Sequence, residues 1–232
     1  MKEIASKMML DNIPIELTRK SVKYINLRIN REGRVLISAP MRCPDVLIQL
    51  FLSSKKSWIF QHVNRLKQKP KHKTKQFVSG EKHYYLGQCY TLQVIPNSLN
   101  DKIDMCDTKI MLKHKSSTTV TQRQALLEHW YRAQFKALLP KLIAKWEPII
   151  GVVVKEWGIK SMKTRWGSCN PSKQRIWLAL ALMKQPIQCI EYVVVHEMVH
   201  ILEASHNKRF HALMTLYLPE WKMNKTLLDE TK

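Results

Sequence analysis

The sequence is poor in acidic residues, has no closely paired cysteines and contains no long apolar run. Its five cysteines are odd in number and none are spaced as CxxC, which favours reduced thiols over a disulfide framework or a cysteine zinc site. The longest apolar run, at 176–183, has eight residues, whereas a membrane-spanning helix needs about 20. The first ten residues lack the apolar stretch of a secretory signal. We therefore expect a cytoplasmic protein without a membrane span.

The shortage of acidic residues leaves a large positive charge. The chain has 232 residues, with 39 Lys and Arg against 18 Asp and Glu, and a formal net charge of +21. Such a charge attracts polyanions, so nucleic acid and nucleotides are candidate partners. Residues 1–120 hold 22 basic and 9 acidic residues, a net +13. The densest basic run, at 65–75, is typical of a solvated helix end and loop; a strip that binds phosphates is the alternative.

The N-terminal half has the pattern of a small β-domain, and no internal sequence repeat is visible. Apolar residues alternate with polar ones at 25–29 and 35–37 around an Asn-Arg-Glu-Gly turn, which predicts a hairpin. A helix is predicted from Asp45 to about Leu66. Short strands are expected at 83–86, 90–95, 102–105 and 109–113. Residues 1–117 are thus predicted to form a basic, largely antiparallel β-domain with one helix.

The C-terminal half has a helical pattern. Thr121–Gln124 has the spacing of a capping box, and an amphipathic helix follows to about Trp146. Strands are expected at 152–155 and 176–182, and further helices from Pro186 to about Leu202, at 207–218 and at 220–229. We therefore predict an α+β protein in which residues 118–232 form a mainly helical, zincin-like domain with a small sheet.

The segment VVVHEMVHILEASHNKRFH, at 193–211, carries the chemistry. His196 and His200 lie at i and i+4, so on a helix both imidazoles leave the same face about one turn apart. Two zinc ligands need that arrangement. Glu197 points about 100° away around the helix, from where it can reach a water beside the metal without binding the ion. HExxH is the signature of zinc hydrolases in which the Glu is the general base.

The third ligand has three candidates. His206 follows His200 after five residues, the count found in metzincins, but Glu203 stands where metzincins have Gly. The chain can still turn at 203–205 and bring His206 back, so His206 is the favoured ligand. Glu203 lies on the ligand face at i+7 from His196 and is an alternative, although a hydrogen bond to an imidazole N–H suits it better. His211 is the other alternative.

These residues belong to a wider pattern. TRWGSC at 164–169, the apolar strand at 176–182, the HExxH segment and LPEW at 218–221 resemble the YgjP-like metallopeptidase domain family, and more distantly SprT-like and WLM metallopeptidases. The resemblance spans nearly the whole chain. It implies one zinc ion bound by His196, His200 and His206, with Glu197 catalytic. Met198 replaces the usual Leu, and 203–205 replace a stretch that commonly contains Pro; both departures leave the ligand set intact.

The RWGS loop has two interpretations. Arg165 could stabilise a developing oxyanion or hold a phosphate, and Trp166 could stack on a ring of the substrate. Alternatively, Trp166 lies in the core and Arg165 pairs with an acid. Lys163 and Arg165 together favour an anionic substrate. Cys169 is expected to be structural, because the HExxH motif leaves no role for a Cys–His pair.

The motif predicts a zinc-dependent hydrolase. Three neutral imidazoles leave one open position for a water, whose proton Glu197 would take. A peptidase acting on peptides or proteins is the first hypothesis. A metal-dependent nucleoside triphosphate pyrophosphatase is the second, although the carboxylate-rich motif that holds magnesium is missing from the sequence. A basic nucleic-acid-binding protein with a structural metal site is the third, but such sites normally have four ligands.

Overall fold

The computed structural model describes residues 4–30, 32–68, 75–115 and 118–231. The chain forms two compact units, Met1–Thr74 and Lys75–Lys232. The sequence-based boundary lay at 117/118, and the structure divides the chain at 74/75 instead. The reason is that each unit has its own hydrophobic core, and the sheet that follows residue 75 belongs to the core of the second unit.

The first unit contains a four-stranded sheet in the order β1-β2-β4-β3. Its alternating apolar residues, such as Ile15 and Ile37, are buried. The predicted hairpin is present, since β3 and β4 pair antiparallel, but β2 and β4 pair in parallel. Alternation identifies strands but not their partners, which is why the expectation of a largely antiparallel sheet was incomplete. The strands are β1 (Ile4–Leu10), β2 (Ile13–Lys20), β3 (Asn26–Ile29) and β4 (Val35–Pro40).

Two helices cover this sheet where one was predicted. They are α1 (Asp45–Ser54) and α2 (Lys56–Gln68). The chain leaves helical geometry at Lys55, with φ −104° and ψ 2°. Ile48 and Ile59, one from each helix, are fully buried in the core of this unit. The apolar spacing therefore continues across the break, and periodicity alone could not reveal it.

The second unit begins with another four-stranded sheet, in the order β5-β6-β8-β7. Its pairings repeat those of the first sheet, with antiparallel outer pairs and a parallel central pair. The two sheets thus share one topology although no sequence repeat connects them. The predicted strands are all present, within a few residues, as β5 (Lys82–Tyr85), β6 (Gln88–Ile95), β7 (Lys102–Cys106) and β8 (Lys109–Lys113).

The helix α3 (Val120–Ile150) packs on this second sheet. Its capping box joins Thr119 to Gln122, two residues before the predicted one. The helix continues through Pro140 and Pro148 and ends at Gly151, whose φ of +76° gives the left-handed cap that favours glycine. The buried face of α3 shares one core with Leu92, Ile110 and Leu112 of the sheet. This shared core keeps residues 75–115 in the second unit.

A three-stranded sheet and three helices complete the second unit. The sheet has the order β10-β11-β9, with β9 (Glu156–Lys160), β10 (Gly167–Asn170) and β11 (Arg175–Ala179). The strand predicted at 152–155 is not formed, since β9 begins at Glu156. Short 3-10 helices follow β10 and β11, at Pro171–Lys173 and Leu180–Lys184. The helices are α4 (Ile187–Val199), α5 (Lys208–Tyr217) and α6 (Trp221–Glu230).

These elements confirm the predicted α+β class. The helices α4, α5 and α6 lie within three residues of the predicted bounds, and β10 lies beside α4. In the part of the chain that the structure describes, no helix has the length and apolar character needed to cross a membrane. Most of the basic run at 65–75 lies outside the described residues, since 69–74 are not among them.

Candidate metal centre

The helix α4 holds the HExxH motif inside the second core. Its apolar residues Val193, Val194 and Val195 are almost fully buried. Because they anchor the helix in the core, the face that carries the histidines is fixed toward one side of the unit. His196 is half-buried and His200 is 9% exposed. The motif therefore lies on a helix that packs in the core, and the sequence predicted this helix.

The three histidines favoured as ligands converge on one point. The Nε2 atom of His206 lies 3.1 Å from Nε2 of His200 and 3.0 Å from Nε2 of His196. One ligand atom from each ring lies within 4.8 Å of the others, which is a group that could hold a metal ion. Two nitrogens bound at 2.0–2.1 Å to a tetrahedral zinc ion lie roughly 3.3 Å apart. The spacing of the nitrogens therefore fits a single ion.

A tight turn after α4 brings His206 back toward the helix. The amide of Glu203 donates to the carbonyl of Val199 at 3.0 Å, which ends the helical turn. The Glu203 carboxylate accepts hydrogen bonds from the hydroxyl of Ser205 at 2.9 Å and from its amide at 3.3 Å. The side chain of Asn207 then caps α5 by accepting from the amide of Phe210 at 3.0 Å. These contacts hold the chain in the turn at 203–207, where Glu203 stands in place of the Gly of metzincins.

The protonation of the rings suits metal binding. Nδ1 of His200 lies 3.0 Å from the carbonyl oxygen of Glu203, which can only accept, so Nδ1 donates and Nε2 is left for the ion. Burial, assisted by the neighbouring His200 and His206, lowers the pKa of His196 to about 3. Burial also lowers the pKa of His206. Both rings are therefore neutral at pH 7, which is the form that binds metals.

Glu197 lies beside the three rings in a site of low polarity. It is 4% exposed, and this burial raises the pKa of its carboxyl to about 8, although the positive charge of Arg165 acts in the opposite direction. The first residue of β10, Gly167, lies against it. A Cβ atom on Gly167 would lie 2.4 Å from Oε1 of Glu197, so the strand can approach the carboxylate only because residue 167 is glycine.

An open cavity of about 520 Å³ contains these groups. The three histidines and Glu197 line one side, and the segment Thr164–Cys169 lines the other. Arg165 and Trp166 therefore line the same cavity as the three histidines, and a role in substrate binding stays a prediction. Trp166 also packs on the core, so its two interpretations are not exclusive. Burial, with a contribution from Glu197, raises the pKa of the Cys169 thiol to about 12, which makes it an inert thiol at pH 7.

Three sequence-based candidates lie elsewhere or act differently. His211 stacks on Trp221, with ring centroids 5.4 Å apart and planes at 10°, and is not in the group of converging histidines. Glu203 reaches His200 through its backbone carbonyl, while its carboxylate holds Ser205. Lys163 lines a separate cavity, described below. Sequence position could not separate Lys163 from Arg165, because both lie in the short segment between β9 and β10 and only the folded chain places them at different cavities.

Two aromatic residues of the site were not singled out from the sequence. The ring of Tyr192 contacts the edge of the His196 ring at 5.7 Å and lines the cavity; its position at i−4 from His196 is the signal that could have found it. Phe210 is fully buried and packs on all three imidazoles, at centroid distances of 4.6 to 4.9 Å. In the sequence, only the presence of Phe210 within the family segment at 193–211 pointed to this packing on the histidines.

Comparisons with known proteins identify the family of this chain. The model of the YgjP-like metallopeptidase domain family matches residues 23–231. Among solved structures, the metallopeptidase zymogen abylysin of Pyrococcus abyssi shares 19% identity over 40% of this chain and 90% of that chain, with a TM-score of 0.35. A search of curated proteins finds no match. Because the family model covers most of the sequence, this chain belongs to the YgjP-like metallopeptidase domain family and is a metal-dependent hydrolase.

Proposed function

We propose that the protein is a zinc-dependent peptidase in which His196, His200 and His206 bind the ion and Glu197 is the general base. The observation that carries this proposal is the convergence of three Nε2 atoms beside the buried carboxyl group of Glu197. Among the described residues the group has three imidazole ligands and no fourth protein ligand, which is typical of catalytic rather than structural zinc. The predicted cytoplasmic location and the zinc identity are parts of this proposal.

The chain's own groups supply the proton transfers. An ion held by His196, His200 and His206 would supply Lewis-acid chemistry, lowering the pKa of a water and polarising the carbonyl under attack. Glu197 would accept the proton of the attacking water and donate it to the leaving amine. Its burial favours this role, since a carboxylate in a site of low polarity is a stronger base than one in water. Gly167 and the strand β10 hold the carboxylate in place.

The segment before β10 forms the opposite wall of the site. Arg165 supplies a fixed positive charge on the cavity, where it would stabilise the negative charge that develops on the carbonyl oxygen. Trp166 is held by its packing on the core and by its carbonyl, which accepts from the amide of Ala179 at 2.8 Å. A peptide lying along this wall would therefore contact one cation and one aromatic ring.

The first test replaces the general base. Glu197→Gln should retain zinc but lose about 10² to 10⁴-fold in turnover of casein or a quenched peptide, because the variant cannot accept the proton. Glu230→Gln, at the exposed end of α6, is the matched control and should keep both properties. Zinc content by atomic absorption and initial rates are the measurements. Unchanged hydrolysis in Glu197→Gln would contradict the mechanism.

The second test concerns the substrate. The same zinc-loaded protein is incubated with casein and, separately, with nucleoside triphosphates. Release of peptides that depends on Glu197 supports the peptidase. Release of pyrophosphate that depends on Glu197, without peptide release, would replace it with the pyrophosphatase predicted as an alternative from the charge. A protein that binds zinc and nucleic acid but hydrolyses neither substrate would be the third, non-enzymatic case.

A further inference from the structure

A second cavity lies in the same unit, on the side of α3 and β5. Its volume is about 210 Å³. Its walls come from the start of the unit, from α3, from the segment after β9 and from the 3-10 helix at Leu180–Lys184. The two cavities belong to the same unit but share no lining residue. The polar residues that line it are Lys75, His83, Gln124, Glu128, Tyr131, Ser161, Lys163 and Lys184.

Positive charge dominates this cavity. Three lysines line it, namely Lys75, Lys163 and Lys184, against the carboxylate of Glu128 in its wall and that of Glu81 beside His83. All three lysines remain accessible to solvent along part of their side chains. Lys75 is held over β5, because its ammonium donates to the carbonyl of Lys82 at 2.5 Å. Lys75 is also the described end of the basic run for which phosphate binding was the alternative prediction.

His83 lies at the closed end of the cavity. It is 2% exposed, and its Nε2 atom makes no hydrogen bond of normal geometry. The nearest carboxylate is that of Glu81, with Oε2 at 3.4 Å. That carboxylate already accepts from the amides of Gln76 at 2.7 Å and Phe77 at 3.0 Å. The Nε2 atom of this buried ring therefore has only the long contact with Glu81, whereas buried polar atoms are normally hydrogen-bonded.

The lysines and the histidine disfavour one another's charge. Burial, with the positive charges of Lys75 and Lys184, lowers the pKa of His83 to about 4. Burial and Lys184 likewise lower the pKa of Lys75, and burial of its ammonium end lowers that of Lys184. The ammonium groups of Lys75 and Lys184 thus lie close enough to repel each other, beside a His83 ring that is neutral at pH 7. An anion placed among them would remove this repulsion.

We infer that this cavity binds a phosphate group, held by the ammonium groups of Lys75 and Lys184 and by Nε2 of His83. A phosphate has several acceptor oxygens in a tetrahedral array, which suits donors that approach from different directions. The walls also contain apolar side chains, which would accommodate the small organic part of a phosphate monoester: Phe77, Leu127, Met162 and Leu180. The site is independent of the proposed peptidase activity.

Calorimetric titration of the full-length, zinc-loaded protein tests this site. Inorganic phosphate and glycerol 3-phosphate are the two probes, and they distinguish free phosphate from a monoester. Lys184→Met should raise the Kd of either probe about tenfold or more, because a charge-assisted contact is lost. Lys136→Met removes an exposed lysine from α3, a helix that lines the cavity elsewhere along its length, and should leave the Kd unchanged. Lys75→Gln should act as Lys184→Met does, and serves in its place if that variant does not fold.

The variants also separate this site from the metal centre. Both leave the three histidines intact, so phosphate bound at zinc would be retained in them. Equal affinity in the wild type, Lys184→Met and Lys75→Gln would therefore overturn the proposal, as would the lack of saturable binding in the wild type. An equal loss of phosphate affinity in Lys136→Met would also overturn the proposal. It would show that the affinity depends on the net charge of the protein and not on this cavity. Loss confined to the two cavity variants supports the site.

Discussion

Glycine at position 167 shows how a residue without a side chain can control the centre. The contact between Gly167 and Glu197 leaves no room for a Cβ atom. An added methyl group would lie 2.4 to 2.8 Å from Oε1, Cδ and Cγ of Glu197. The side chain of the base would therefore have to move. The glycine of the TRWGSC motif is thus required for steric reasons, independently of the charge of Arg165.

We predict that Gly167→Ala loses about 10²-fold in turnover while keeping its zinc and its fold, since a displacement of about 1 Å in a catalytic group has effects of that size. Gly80→Ala is the matched control. There an added Cβ meets nothing within 4 Å, but φ is +92°, so stability should fall by about 1 kcal/mol with activity retained. Rates, zinc content and thermal melts make the comparison. Equal activity in the two variants would contradict the steric role.

At the scale of elements, the turn between α4 and α5 completes the candidate centre. It contains His206, and its shape depends on polar contacts among Glu203, Ser205 and Asn207. Asn207 has two contacts, because it caps α5 and donates to the hydroxyl of Ser205 at 3.1 Å. The position of the third ligand is therefore coupled to the start of the next helix.

We predict that Asn207→Ala weakens zinc binding as well as the fold. Loss of the cap should cost about 1 kcal/mol of unfolding free energy, and release of the turn should raise the zinc Kd because His206 is no longer held in place. Thr119→Ala removes the cap of α3 and should cost a similar free energy without changing zinc affinity. Chelator competition and urea unfolding measure the two quantities. Matching zinc affinities in both variants would show that the turn is held by other contacts.

At the scale of the whole molecule, charge and chemistry are partly separated. Residues 1–74 hold 16 basic and 5 acidic residues, a net +11, in less than a third of the chain. The metal centre and the second cavity both lie in Lys75–Lys232. Attraction of an anionic partner by the excess charge of the first unit stays a prediction.

The two cores predict how the chain can be divided. A fragment of residues 75–232 should fold and bind one zinc ion, because it contains every residue of the larger core. A fragment of residues 118–232, cut at the boundary predicted from the sequence, should not, because α3 would lose Leu92, Ile110 and Leu112. Circular dichroism and zinc content of the two fragments decide this. Full zinc binding by the shorter fragment would contradict the division at 74/75.

The sequence by itself determined the features that depend on local geometry. A helix places residues at i and i+4 on one face and turns i+1 about 100° away, so His196, His200 and Glu197 could be assigned their positions from spacing alone. The helices α4, α5 and α6 followed from their periodicity in the same way. The family pattern then supplied His206, which spacing had favoured but not separated from Glu203 and His211.

Only the tertiary structure decided the features that depend on contacts between distant segments. The approach of Gly167 to Glu197, the parallel strand pairs and the place of the sheet at 82–113 in the second core are of this kind. So is the position of Lys163 at a second cavity. A sequence pattern records which face of an element is apolar, but not which of several apolar faces will cover it. That choice is made by the packing of the whole unit.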